Sequence, residues 1–146
     1  MPLYDQTKVF KIISELRNSV NQLKRLKVCQ ISDFIHDEDK IGSTKYHFIV
    51  AIECCVDMCQ HIIARNGYRA PENYSETFKV IGEAGAFSQD QLNTFIKMAK
   101  FRNRLVHLYW EIDNQQVYDI LQNNLNDFHV FMEVMSVFLD LKEIQD

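Results

Sequence analysis

The segment Arg102-Asn103-Arg104-Leu105-Val106-His107-Leu108-Tyr109 gathers the side chains of this sequence best suited to chemistry. Arginine brings a charge that does not titrate, and histidine brings a proton that exchanges near neutral pH. On a helical wheel at ~100° per residue, Leu92, Phe95, Ala99, Val106 and Tyr109 fall together, with Met98, Phe101, Leu105 and Leu108 beside them. Arg102 sits near the middle of that apolar arc. A guanidinium facing a core must be paired and hydrogen-bonded, or must face a cavity or an interface. Asp57 or Glu53, on an earlier helix, could supply the carboxylate. Otherwise the position marks a polar pocket that needs a permanent cation. Asn103 and His107 lie four apart and share a face, and Arg102 and Tyr109, seven apart, share another. Arg102 and His107 lie ~140° apart on an ideal helix. They converge on one small ligand only if the helix bends or ends there, if Arg102 reaches round, or if a second subunit contributes. That arithmetic favours a site built across a dimer interface over one on a lone monomer.

The elements that hold this segment are helices. The 146 residues fit one domain, 1–146, and 47% are hydrophobic, enough for one core. Only four Gly and two Pro are present, so the chain must run in a few long elements. The first helix is predicted from about Gln6 to Val28, capped by Asp5, with Ile12, Ile13, Leu16, Val20, Leu23 and Leu26 as its apolar stripe. Ser32 should cap a short helix through Phe34 and Ile35. A long helix follows from about Ile41 to Asn66, weakened at its start by Gly42 and stopped by Gly67. Tyr68 to Tyr74 reads as a loop. A short helix from Glu76 to Ala84 precedes the helix that carries Arg102, from Gln89 to Leu108, capped by Ser88. Asp113 to Gln116 reads as a capping box opening a last helix to about Lys142. The expectation is an all-α bundle of about five helices with short connections.

Charge is unevenly placed. The formal net charge is −4, yet Gln91 to Trp110 holds no Asp or Glu and carries Lys97, Lys100, Arg102 and Arg104. The rest of the chain is therefore at −8, four more negative than the whole. Such a balance argues against nucleic-acid binding through the whole surface and leaves one basic strip on an acidic body. No apolar run is seen to approach the ~18 residues of a membrane span, and no secretory signal is read at Met1 to Asp5. Cys54, Cys55 and Cys59 crowd one helix without a second cluster to complete a tetrahedral metal site. Together with Cys29 they read as small hydrophobes of a reducing cytoplasm. His61 follows Asp57 by one turn and Glu53 by two. That spacing permits metal ligation but carries no further support, and no metal or other cofactor is expected.

The run from Arg102 to Tyr109 resembles the motif of the HEPN superfamily: an arginine, a polar residue, a few positions and a histidine. The tighter form, Arg, four residues, His, one residue, Tyr, is similar to the HepT-type toxins, formerly grouped as DUF86. Phe101, Trp110 and the fragment Asp57-Met58-Cys59-Gln60-His61-Ile62-Ile63 fit the same branch. The resemblance implies a HEPN-like bundle and a homodimer whose two motifs face one cleft. It implies the toxin of a type VII toxin–antitoxin system, a metal-independent endoribonuclease in which the ribose 2′-hydroxyl attacks the adjacent phosphate. His107 would then be general base or acid, and Arg102 would stabilise the phosphorane. Asn103 would orient the histidine or a phosphate oxygen, and Lys97, Lys100 and Arg104 would guide the RNA, an mRNA or tRNA. The implied partner is a minimal nucleotidyltransferase antitoxin that transfers AMP onto Tyr109 and so blocks the cleft.

Two other readings compete with that one. The chain could be a non-catalytic helical module that binds a nucleotide or presents a substrate to the nucleotidyltransferase. Or it could be a helical dimer whose Arg102 merely pairs with an acid such as Asp57, with Tyr109 as an ordinary aromatic at a packed helix end.

Overall fold

The computed structural model describes residues 1–141, in which seven α-helices and one 3-10 turn form the secondary structure. α1 (Gln6–Leu26) starts at Asp5, whose carboxylate accepts from the Lys8 amide. Val9, Ile13, Leu16, Val20 and Leu23 recur every three or four residues and are buried, while Ile12 and Leu26 pack at the margin. α2 (Ile31–Ile35) begins after Gln30, which makes no side-chain cap, so Ser32 lies inside the helix instead of capping it. α3 (Glu38–Asn66) begins ahead of the expected Ile41. Asp37 accepts from the Asp39 and Lys40 amides, and Glu38 and Asp39 suit the positive end of the helix dipole. Gly67, at φ 65°, closes it in the left-handed region. α4 (Tyr74–Glu83) also starts early, because Asn73 accepts from the Glu76 amide. α5 (Gln89–His107) opens with a full capping box between Ser88 and Gln91.

The expected single last helix is two, α6 (Asn114–Asn123) and α7 (Asn126–Leu139), and its expected end at Lys142 lies outside the described residues. Asn123, Asn124, Asn126 and Asp127 explain the break, since side-chain amides and carboxylates compete with the helical backbone. Asn124 leaves helical geometry and its side chain donates to Asp127. No capping box forms at α6. Asp113 accepts from the Gln115 amide, and the Gln116 side chain accepts from Arg104 instead. The split, with the short α2, makes seven helices where about five were expected.

α3 is the axis of the bundle and packs against α1, α2, α4, α5 and α6. Contrary to the sequence reading, it is long and apolar enough to match a membrane span. However, 61% of that apolar window is buried inside the protein, where it forms the core. Beside it Phe78, Phe87, Phe95 and Phe131 join α4, α5 and α7 with ring centroids 4.8–6.3 Å apart. Cys54, Cys55 and Cys59 are buried and free, and burial pushes their thiols up, Cys54 to about 11. Un-ionised, they pack as small apolar residues.

The chain start is tied to the far end of α3. Leu3 and Asn66 exchange two hydrogen bonds (2.7 and 2.9 Å), and the Asp5 amide donates to His61 Nε2 at 2.9 Å. His61 is therefore a structural acceptor that holds the first turn of α1. Burial first, then Lys8 and Arg65, hold its pKa below 6.5, with Asp5 opposing. The unfolded chain takes up this proton near pH 6.5 and the folded chain only at lower pH. Between those values the unfolded state binds more protons, so stability is complete above about pH 6.5 and is lost as pH falls. Burial of His47 adds a slope of the same sign. Thermal melts should show Tm falling as pH drops below about 6.5. His61→Ala should flatten that fall and cost about 1–2 kcal/mol at neutral pH by stranding the Asp5 amide. An unchanged slope in the variant would contradict this role.

Candidate active site

The geometry of the site follows from where α5 stops. Leu108 leaves helical geometry (φ −130°, ψ 36°), although its amide still reaches the Arg104 carbonyl at 3.1 Å. A 3-10 turn, Tyr109–Glu111, follows. His107 is thus the last helical residue and is exposed. Arg102 reaches round to it, with Nη1 3.4 Å from His107 Nε2. The ~140° separation on the wheel is closed within one chain. A second subunit is not needed to bring the two together, which corrects the argument for a site split across an interface. A guanidinium can only donate, so this long contact leaves the lone pair on Nε2 and the neutral ring's proton on Nδ1.

Three elements converge on Arg102. From α3, Glu53 Oε1 accepts from Arg102 Nε at 2.5 Å, with 16% of the Arg102 side chain and 27% of the Glu53 side chain exposed. From α4, the Tyr74 ring lies under the guanidinium, 4.7 Å from centroid to Cζ, and the Tyr74 hydroxyl donates to Glu53 Oε2 at 2.8 Å. From α5 itself, Asn103 Oδ1 accepts from Nη1 at 3.3 Å. Asp57, the other carboxylate weighed for this pairing, forms no ion pair with Arg102 among the described residues. It is exposed one turn along α3, where Lys8 is the cation in its field. Burial, then Glu53, pushes its carboxyl up.

The remaining residues of the motif lie apart from this centre. Asn103 bonds Arg102, and no bond between Asn103 and His107 is present among the described residues. Lys97, Lys100 and Arg104 lie about 140–160° round α5 from Arg102, on the flank of α6 and α7. Arg104 donates to Gln116 at 3.0 Å, and Lys97 shares a surface cleft with Asp127. Tyr109 belongs to the 3-10 turn, not to the apolar arc, and is 64% exposed beside Trp110 at 67%. Their rings meet edge to face at 5.3 Å. Tyr109 is therefore not an aromatic at a packed helix end. His61 is taken up by the Asp5 amide, and no group of three His, Cys, Asp or Glu suited to a metal occurs among the described residues.

Tyr74 is the member of the site that sequence reasoning missed. It stood at the end of an apparent loop, with no spacing that relates it to Arg102. The one available signal was Asn73 as an N-cap, which moves Tyr74 onto the first turn of α4. The Glu53 pairing makes a stability prediction. Glu53→Ala strands a largely buried guanidinium and should cost about 1–3 kcal/mol in urea unfolding, discounted for partial exposure. Asp57→Ala should cost less than about 0.5 kcal/mol. Equal losses in the two variants would contradict the assignment.

A family model described as Ribonuclease HepT-like matches residues 7–135. An mRNA nuclease HepT from Shewanella oneidensis is 28% identical over 83 residues, 57% of this chain and 62% of that protein, so the match spans less than two thirds of the relative's length. The tri-AMPylated Shewanella oneidensis HEPN toxin, solved in complex with MNT antitoxin, superposes with a TM-score of 0.83 at 21% identity, over 91% of this chain and 99% of that one. YutE from Bacillus subtilis, a cytosolic protein of unknown function, superposes at 0.79 and 18% identity over 99% of both chains. At these identities the superpositions establish a shared fold.

Proposed function

The chain belongs to the HepT-like ribonuclease family, and from that membership and the approach of Arg102 to His107 we propose that it is an endoribonuclease toxin of a type VII toxin–antitoxin system. The contact between a permanent cation and an exposed imidazole at the end of α5 carries the reading. His107 Nε2 takes the proton of a ribose 2′-hydroxyl, and the oxygen forms a bond to the adjacent phosphorus. Arg102 faces the charge that gathers on the phosphorane oxygens. The bond from phosphorus to the 5′ oxygen breaks, and that oxygen leaves with a proton from the imidazolium. The products are a 2′,3′-cyclic phosphate and a 5′-hydroxyl, with no step that calls for a metal.

Asn103 steadies Arg102, and Lys97, Lys100 and Arg104 draw the RNA backbone along the far flank of α5, the side from which His107 projects. Two chains form a homodimer that shares one cleft, and the substrate is an mRNA or tRNA in the cytoplasm. A cognate minimal nucleotidyltransferase acts as antitoxin by transferring AMP to Tyr109. The exposure of Tyr109 supports access to its hydroxyl, and the added phosphate competes with RNA for Arg102.

RNA cleavage by the unmodified protein should survive EDTA and fall at least about 100-fold in His107→Ala and in Arg102→Ala. If mRNA and tRNA both stay intact with the wild-type protein, the nuclease reading is lost. Co-expression with the neighbouring nucleotidyltransferase should add AMP-sized mass increments that map to Tyr109 and vanish in Tyr109→Phe. Increments that persist in that variant would place the modification elsewhere.

A further inference from the structure

We propose that Tyr74 and Glu53 are positioning residues that keep one edge of Arg102, its Nη2 amino group, open for an RNA phosphate; the phosphate assignment rests on the ribonuclease reading above. A guanidinium has five N–H donors, one on Nε and two on each terminal nitrogen. In Arg102 the Nε donor goes to Glu53, and Nη1 is directed to Asn103 and His107. Nη2 has no protein partner among the described residues. It is also absent from the buried unpaired atoms, which belong to Arg17 and His47, so it reaches solvent.

A carboxylate beside an arginine ordinarily does not leave that edge open. The preferred grip is bidentate, with Nε and a terminal nitrogen held together. The same molecule contains that arrangement at Arg69, where Glu83 accepts from Nε at 2.9 Å and from Nη2 at 2.7 Å. Arg102 and Glu53 are more buried, and their carboxylate meets a further donor. The second Glu53 oxygen is turned toward the Tyr74 hydroxyl, 2.8 Å away, and accepts nothing from Nη2 among the described residues. Burial, then this hydrogen bond, pushes the Tyr74 phenol up, so the hydroxyl stays protonated and donating. The Tyr74 ring, 4.7 Å from Arg102 Cζ, supports the guanidinium from below. Tyr74 thus holds Glu53 to a single-point grip, and the edge that would otherwise close onto the carboxylate remains available to an anion.

Tyr74→Phe keeps the ring and removes only the hydroxyl. Glu53 should then rotate onto Nη2, and kcat for RNA cleavage should fall about tenfold with KM nearly unchanged. Glu53→Gln has one acceptor oxygen and cannot take the bidentate grip. Adding Tyr74→Phe to Glu53→Gln should therefore change kcat by less than about twofold, a rescue that a purely structural role for Tyr74 does not produce. A second readout is independent of RNA. Nitrogen-15 NMR should show hindered rotation of the Arg102 Nη2 group in Tyr74→Phe, as at Arg69, and free rotation in the wild type. Free rotation in both proteins overturns the proposal. Hindered rotation in the variant, with a wild type that cleaves no RNA, upholds the positioning role and overturns the ribonuclease reading alone. A tenfold loss from Tyr74→Phe that is equally large in the Glu53→Gln background also overturns the proposal.

Discussion

A guanidinium set against the apolar side of a helix is the constraint around which the rest of the site is arranged. Arg102 cannot shed its charge, and with 16% of its side chain exposed it cannot rely on water alone. A carboxylate must come from another element, and α3 brings Glu53. That carboxylate needs a donor for its second oxygen, and α4 brings Tyr74 on its first turn. The three helices must then keep fixed spacing, which the phenylalanine cluster and the α3 core secure from the other side. The polar centre and the apolar core are two faces of one packing problem.

Most of the frame was legible in local sequence because local chemistry decides it. Asp5, Ser88 and Gly67 act at helix ends through their own backbone neighbours, and each ends a helix where its type predicts. The site was legible only as far as its motif. Periodicity placed Arg102 toward the core, but the choice between Glu53 and Asp57 depends on how α3 is rotated against α5, which no local pattern encodes. Tyr74 reaches Arg102 through a tertiary contact between two helices and leaves no trace in spacing. The wheel placed the end of α5 to within a residue but carried its ideal geometry on to Tyr109. The real helix stops at His107 and turns Tyr109 out of the arc, while Arg102 and His107 meet because the long Arg102 side chain reaches round.

The basic strip has less reach than its formal charge implies. Arg102 is paired with Glu53, and Lys97 has Asp127 nearby. What remains is a few cations on one flank of an acidic body, over which screening acts within a Debye length of about 8–10 Å. A polyanion would be held here by close contacts more than by long-range attraction. An acid-lined depression over Asp33, Asp37, Glu38 and Asp39 marks a face it would avoid.

Tyr109 stands on a short turn outside the packed interior, with most of its surface in water. A group attached to its hydroxyl would displace no core atom and break no hydrogen bond of the bundle. Control exerted there is separate from the cost of folding. A modification there would leave the bundle as tightly packed as before, so it would open no loosened state for proteases to attack.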